Sequence, residues 1–168
     1  MPNITFVDRD DRVIGQGTKA EALSKGIIHR IVRIFVMDSA GKLLIQKRAA
    51  NVAVPNRWDQ SAAGHVDTGE DYATAAKREL KEEIGISDVS LAEVAKYYAE
   101  ETDDGIMKKR FNTLYSVKYD SHEINFDPKE VSEVRWVPLA ELEAWMKDRS
   151  EDFTSGFLNS YQQFSLHP

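Results

Sequence analysis

Three glutamates in one predicted helix have the spacing that most clearly suggests chemistry. The helix begins at residue 70 or 71, continues to residue 84 and ends at Gly85. At about 100° per residue, Glu79, Glu82 and Glu83 lie within an arc of roughly 100° on one face. At about 5 Å and an effective dielectric constant near 20, each pair of carboxylates would repel by about 3 kcal/mol. A hard divalent cation such as Mg²⁺, which prefers oxygen ligands, would offset that repulsion.

An apolar stripe next to the glutamates predicts that the same helix packs on a sheet. Its members are Ala73, Ala76, Leu80 and Ile84. The carboxylates would therefore border the buried face. For an isolated E-x-x-E-E pattern, the alternative is a surface helix with a solvated acidic stripe.

The segment from residue 64 to residue 86 carries a longer pattern that decides between these interpretations. It matches the Nudix box, G-x5-E-x7-R-E-U-x-E-E-x-G-U with U aliphatic, at every specified position. With ordinary residue frequencies, the chance of such a match at one start point is on the order of 10⁻⁹. The chain therefore resembles the Nudix hydrolase family.

This resemblance implies an α/β fold, specifically an α/β/α sandwich with a mixed central sheet. It also implies hydrolysis of a diphosphate bond, usually in a nucleoside diphosphate joined to another group, with Mg²⁺ or Mn²⁺ as cofactor. Carried over by position, Glu79, Glu82 and Glu83 would bind the metal, and the carbonyl group of Gly64 is a possible further ligand. Arg78 would orient the helix glutamates by ion pairing.

The resemblance also assigns supporting and proton-transfer roles. Glu70 would position a ligand or a water molecule from outside the metal's immediate ligands. A glutamate of the box, or one from a later loop, could accept the proton from the attacking water. Glu130 is a candidate in that later loop, together with Glu133. A solvated acidic turn before a strand is the alternative for this loop.

A second resemblance concerns the branch of the family. Residues 28–30, 41–48 and 55–58 are similar to the isopentenyl-diphosphate isomerase-like branch. True isomerases have a cysteine where this chain has Ala63, and a metal-binding glutamate pair where it has Lys108 and Arg110. The complete Nudix box therefore predicts hydrolase chemistry on an isomerase-like scaffold. A catalytically idle binding or regulatory module and a prenyl diphosphate isomerase are the alternatives.

Several basic side chains are candidate contacts for the substrate. Arg48, Arg57 and Arg110 could bind phosphate oxygens, because the guanidinium fork suits them. His65, beside the loop glycine, could touch substrate or metal, whereas His29 at a strand start is predicted to be a structural hydrogen-bonding residue. Aromatic side chains that could stack on a base, with burial in the core as the alternative, are Trp58, Tyr97 and Tyr98.

The remaining elements are predicted to form one domain around this site. Residues 1–26 would be an N-terminal extension, made of a hairpin and a short helix over residues 19–25, and residues 27–168 the Nudix core. The other predicted strands cover residues 27–36, 42–46, 89–99, 110–119 and 134–137, and further helices cover 138–147 and 155–164.

Composition limits the partners. The chain of 168 residues has a net charge of −6 and no cysteine, which excludes disulfides, thiolate metal sites and cysteine nucleophiles. Without a basic excess, neither nucleic acid nor an anionic membrane is an expected partner. No secretion signal is evident, so a cytoplasmic location is expected. The expected partner is a small-molecule diphosphate, and the family resemblance adds a possible homodimer.

Overall fold

The computed structural model describes residues 2–168, which form nine strands in one mixed sheet and four α-helices. The strands are β1 (Ile4–Val7), β2 (Val13–Gly17), β3 (His29–Met37), β4 (Lys42–Arg48), β5 (Trp58–Asp59), β6 (Ala62–His65), β7 (Ala92–Asp103), β8 (Ile106–Lys118) and β9 (Val131–Pro138). The helices are α1 (Lys19–Lys25), α2 (Tyr72–Ile84), α3 (Leu139–Asp148) and α4 (Ser155–Ser165).

Strand β3 is the centre of the sheet. It pairs in parallel with β8 along its whole length, from His29 opposite Arg110 to Met37 opposite Lys118. On its other edge it pairs antiparallel with β6, and β7 continues the sheet beyond β8. Strands β9 and β5 pair antiparallel with β4. The combination of parallel and antiparallel pairs is the mixed sheet that the sequence predicts.

Helices cover both faces of this sheet, which confirms the predicted sandwich. Successive residues of β3 point to opposite faces. Val32, Ile34 and Val36 are fully buried in the core that includes α2. Phe35 is buried in a second core, which α3 and α4 complete. The β-branched composition of β3 fits a strand that is buried on both sides.

Helix α2 begins and ends where its local sequence requires. The side chain of Asp71 accepts a hydrogen bond from the Thr74 backbone N–H at 2.7 Å, which caps the first turn. Gly85 ends the helix with φ of 69°, in the left-handed region that glycine adopts without strain. The prediction for this helix is confirmed, and its buried face packs against β6 and β3.

The structure corrects three boundaries. Strands β5 and β6 are absent from the sequence prediction, because at two and four residues they are too short to show a β pattern. Strand β9 begins at Val131, so Glu133 lies within a strand and not in an acidic turn. The β7–β8 hairpin is longer than predicted, with a turn at Asp104 and Gly105, which both have positive φ.

None of the helices within residues 2–168 is long and apolar enough to cross a membrane.

Candidate active site

Arg78 connects the loop before α2 to the helix through hydrogen bonds. Its Nε and Nη2 donate to the two carboxylate oxygens of Glu70 at 2.8 and 2.9 Å, a bidentate pair. Nη2 also donates to the carbonyl oxygen of His65 at 2.9 Å, and Nη1 donates to Glu79 at 2.7 Å. The pKa of Arg78 is raised mainly by its hydrogen bonds to Glu70. The same pairing lowers the pKa of Glu70, which stays ionised.

Glu83 is a buried carboxylate with two neutral donors. Only 4% of the residue is exposed. Its Oε1 accepts the backbone N–H of Ala63 at 3.0 Å, and its Oε2 accepts the side-chain amide of Gln46 at 2.7 Å. Burial raises the pKa of Glu83 well above its ordinary value, and the negative charge of Glu79 raises it further. No cation is bonded to this carboxylate among the side chains of residues 2–168.

Glu79 is the second carboxylate of this pair, one turn earlier on α2. Its side chain is 12% exposed, and it contacts Arg78. Burial raises the pKa of Glu79 to about 7, although Arg78 acts in the opposite direction. Two adjacent buried carboxylates with raised pKa values are costly to ionise together, and such groups concentrate at functional sites.

Gly64 makes room for this pair. A Cβ atom at Gly64 would overlap the carboxyl group of Glu79. The glycine is therefore required by the close approach of strand β6 to helix α2.

Glu82 does not join the buried pair. Its side chain is 55% exposed and lies 3.4 Å from Arg78. Within residues 2–168, no three His, Asp or Glu side chains are arranged so that they could hold one metal ion. Of the three predicted ligands, the structure brings together Glu79 and Glu83, while Glu82 lies at the solvent edge beside Arg78.

Two further residues belong to the carboxylate region. The negative charge of Glu130 raises the pKa of both Glu79 and Glu83, so the loop before β9 lies beside the pair. Partial burial and the charge of Asp127 raise the pKa of Glu130 itself. Sequence reasoning missed Gln46, because no local pattern marks a strand residue whose partner lies 37 positions away.

The three candidate arginines are each engaged with acceptors of the protein. Arg48 donates to the carbonyl oxygen of Ala53 at 2.6 Å and to Asp59 at 3.3 Å. Arg57 bonds to Asp103 and Asp104, at 3.4 and 3.0 Å. Arg110 is 7% exposed and lies 3.4 Å from Glu101. The structure therefore does not bring the three arginines together as one open phosphate-binding site.

The two histidines, His29 and His65, lie side by side. Their rings stack with centroids 5.3 Å apart, and each Nε2 is buried without a partner. His29 bonds through Nδ1 to the carbonyl oxygen of Ile27 at 3.0 Å, which agrees with the structural role predicted for it. Burial lowers the pKa of His29 to about 4 and lowers that of His65 as well, so both rings are neutral at pH 7.

The candidate stacking aromatics are packed within the protein. Trp58 is buried in the second core, where its ring meets Trp145 edge to face at 5.6 Å. Tyr97 packs against the same core. Tyr98 bonds to Glu100 at 2.6 Å and carries the Arg9 guanidinium over its ring. The core interpretation is correct for Trp58 and Tyr97.

Known proteins resemble this chain over most of its length. A match to the NUDIX domain covers residues 27–157. A Pseudomonas aeruginosa protein described as an uncharacterized Nudix hydrolase is 35% identical over 135 residues, 80% of this chain and 77% of its own. A Photorhabdus laumondii protein named isopentenyl-diphosphate Delta-isomerase 2 is 34% identical over 157 residues, 92% of this chain and 87% of its own.

A solved structure shows the same fold. The crystal structure of DR0079 from Deinococcus radiodurans superposes with a TM-score of 0.71 at 24% identity, covering 87% of this chain and 89% of that one. The fold is thus a Nudix fold, with the acidic helix packed on a mixed sheet. The chain belongs to the Nudix family.

Proposed function

We propose that this protein is a metal-dependent hydrolase that cleaves a diphosphate bond, in a nucleoside diphosphate linked to another group. The observation that carries the proposal is the buried pair Glu79–Glu83. Burial raises the pKa of both carboxylates, and the charge of Glu79 raises that of Glu83 further, so the two resist joint ionisation. A divalent cation between them and the substrate would turn this unfavourable arrangement into a binding site.

The donor set fits Mg²⁺ or Mn²⁺. Hard cations of this kind take oxygen ligands and are commonly bound by one or two carboxylates together with substrate phosphates. Glu79, Glu83 and the backbone carbonyl of Gly64 would hold the ion, and Glu82 would join after leaving Arg78. When bound, the ion neutralises diphosphate charge and lowers the pKa of a water molecule.

The residues of the chain have separable tasks in this proposal. Gln46 and the Ala63 N–H hold the Glu83 carboxylate in one orientation. Arg78 holds Glu79 and Glu70, and its hydrogen bond to the carbonyl oxygen of His65 holds the end of strand β6 beside Gly64. Glu130, whose pKa is raised but which remains exposed, is the proposed acceptor of the proton from the attacking water. A carboxylate tuned towards neutral pH is suited to that task.

Isomerisation of a prenyl diphosphate is the second candidate, because a relative covering 92% of the chain is named an isomerase. The chain has no cysteine, and Ala63 stands where the isomerase pattern expects one. Lys108 and Arg110 stand where the pattern expects a glutamate pair. These departures favour hydrolysis.

A substrate panel tests the proposal. Nucleotide sugars, dinucleotides, oxidised nucleotides, nucleoside triphosphates and isopentenyl diphosphate are incubated with Mg²⁺ or Mn²⁺, and products are identified by ³¹P NMR. We expect phosphate or nucleoside monophosphate from at least one compound. Glu83→Gln should lower its turnover at least 100-fold, because a ligand to the metal is lost. The matched control Glu141→Gln, on the exposed side of α3, should stay within threefold of wild type.

Other outcomes would refute the proposal. Isomer exchange of isopentenyl diphosphate without phosphate release would establish the isomerase. Tight binding of a diphosphate without any product would establish a binding or regulatory module. Turnover by Glu83→Gln within threefold of wild type would remove the role assigned to the carboxylate pair.

A further inference from the structure

A group of basic side chains lies on the other side of strand β6 from the carboxylates. We call Lys19, His29, His65, Lys108 and Arg110 the basic cluster. His29 pairs with Arg110 across β3 and β8, and His65 pairs with the residue two beyond His29, so the three side chains share one face of the sheet. Lys108 lies two residues before Arg110 on that face. Lys19 begins α1, which packs against β8.

The basic cluster holds more positive than negative charge. Arg110 reaches one acid, Glu101, at 3.4 Å, and Glu101 already pairs with Arg33 at 3.0 Å. Lys108 reaches Asp103 at 3.6 Å, an acid that also pairs with Arg57 at 3.4 Å. Within residues 2–168, Lys19 has no carboxylate within 4.0 Å. Glu101 and Asp103 are thus shared among four cations, and Lys19 has no carboxylate partner.

Mutual repulsion in the basic cluster is visible in its pKa values. Burial and the charges of Arg110 and Lys108 lower the pKa of Lys19. Burial and the charge of Arg33 lower the pKa of Arg110 to about 10. Lys108 is lowered in pKa by burial and by Arg110. Buried cations of this kind are normally paired with anions, so the excess positive charge indicates that an anion binds here.

Unsatisfied polar atoms accompany the excess charge. The Arg110 Nε–H, the His29 Nε2 and the His65 Nε2 are all buried without a hydrogen-bond partner. The Arg110 Nε–H can only donate, and His65 can donate when its proton is on Nε2. Buried polar atoms in folded proteins are rarely unpaired. Two of these atoms, the Arg110 Nε–H and the His65 Nε2, can donate, and they share one face of the sheet with three cations, which indicates a missing acceptor. The His29 Nε2 is itself an acceptor, because its Nδ1–H donates to Ile27.

Strand β6 connects the basic cluster to the carboxylate pair. The Ala63 N–H bonds to Glu83, and a Cβ at Gly64 would point at Glu79. The next residue, His65, bonds through its carbonyl oxygen to Arg78 and stacks its ring on His29. One short strand therefore supports both groups, the carboxylate pair on one face and the basic cluster on the other.

We propose that the basic cluster binds a phosphate group, and that in the substrate this is a phosphomonoester separate from the diphosphate that is cleaved. This inference rests on the proposed function for the identity of the substrate, but not for phosphate binding itself. Lys19, Lys108 and Arg110 neutralise the phosphate, and the Arg110 Nε–H and His65 donate to its oxygens. The charge of the site is opposite to what a cation site requires.

The first test uses inorganic phosphate with metal-free protein in EDTA. Isothermal titration calorimetry should show phosphate binding to wild type, and Lys19→Met should weaken it at least tenfold. Lys19 has no carboxylate partner, so the substitution breaks no ion pair, and we expect an unchanged or higher Tm without phosphate. Lys25→Met, on the same helix but paired with Glu21 at the surface, is the matched control and should bind phosphate as wild type does.

The second test asks whether the phosphate belongs to the substrate. Nucleotide pairs that differ by one phosphomonoester, at the 2′, 3′ or terminal position, are compared by Kd without metal. At least one pair should show a tenfold or greater preference for the phosphorylated member, and Lys19→Met should abolish it.

Three results separate the possible failures. If wild type binds no phosphate below about 10 mM, or if Lys19→Met keeps wild-type affinity, the basic cluster is not an anion site. Phosphate binding without any nucleotide preference would refute its role with substrate. Phosphate binding and preference in a protein that hydrolyses nothing would refute the proposed function alone.

Discussion

Replacement of Glu79 by glutamine should change how protein stability depends on pH in the absence of metal. The pKa of Glu79 is about 7 in the folded protein, against an ordinary value of 4.5. The folded state therefore binds the proton more tightly than the unfolded state does. For a carboxyl group with a raised folded pKa, the free energy of unfolding falls as pH rises from the unfolded pKa to the folded one. Below pH 4.5 the group makes no difference.

The size of the effect follows from the shift. A difference of about 2.5 units corresponds to about 3 kcal/mol of lost stability above pH 7, and about 2.5 kcal/mol of it develops between pH 5 and pH 8. Glutamine cannot ionise, so Glu79→Gln should escape this loss. Relative to wild type, the variant should gain about 2.5 kcal/mol on going from pH 5 to pH 8.

Urea unfolding in EDTA at several pH values measures this difference directly. Each variant is compared with wild type at the same pH, so titrating groups that do not interact with Glu79 cancel, and the fall in the pKa of Glu83 in Glu79→Gln acts in the same direction. Glu141→Gln, an exposed change of the same chemistry, should show no pH dependence relative to wild type. If the difference between Glu79→Gln and wild type were the same at pH 5 and pH 8, the burial and repulsion assigned to Glu79 would be wrong.

Three further substitutions test other parts of the site. Gly64→Ala should lower kcat/KM at least tenfold in steady-state assays, because the added Cβ displaces the Glu79 carboxylate. Gly15→Ala, where φ is not positive and only Phe6 lies near the added Cβ, at 4.0 Å, controls for the loss of a glycine. Arg78→Lys should lower kcat about 10- to 100-fold with little change in Tm, because lysine cannot make the bidentate bond to Glu70. Asp71→Ala should destabilise the protein to urea by about 1 kcal/mol through loss of the helix cap, whereas Asp71→Asn should retain most of that stability. Unchanged kcat/KM in the first, unchanged kcat in the second, or unchanged unfolding in the third would contradict these roles.

Much of the scaffold can be predicted from local sequence. The apolar period of α2, its aspartate cap and its terminal glycine act over a few residues, and the structure has all three. The same holds for α1, which Gly26 ends, and for α4, which Thr154 caps. Strand β6 could not be predicted, because Ala62 and Gly64 have little intrinsic preference for a strand, and pairing with β3 alone places them there.

The functional residues divide in the same way. The spacing of Glu79 and Glu83 places both on one helical face, which needs no tertiary information. Periodicity does not distinguish them from Glu82, because the exposure of Glu82 depends on Arg78 and on the position of the helix over β6. The ion pairs of Arg57 and Arg110 with acids of β7 join distant parts of the chain. Only the folded sheet shows that these arginines have partners.

The most direct test of the account is calorimetric titration of wild type and Glu83→Gln with Mn²⁺ at pH 7, in buffers of different ionisation enthalpy. Because the pKa values of Glu79 and Glu83 are raised, wild type should release protons as it binds the ion. Glu83→Gln should bind at least tenfold more weakly and release fewer protons. Equal Mn²⁺ affinity in the two proteins, with no proton release in either, would contradict the claim that the buried carboxylate pair is a metal site.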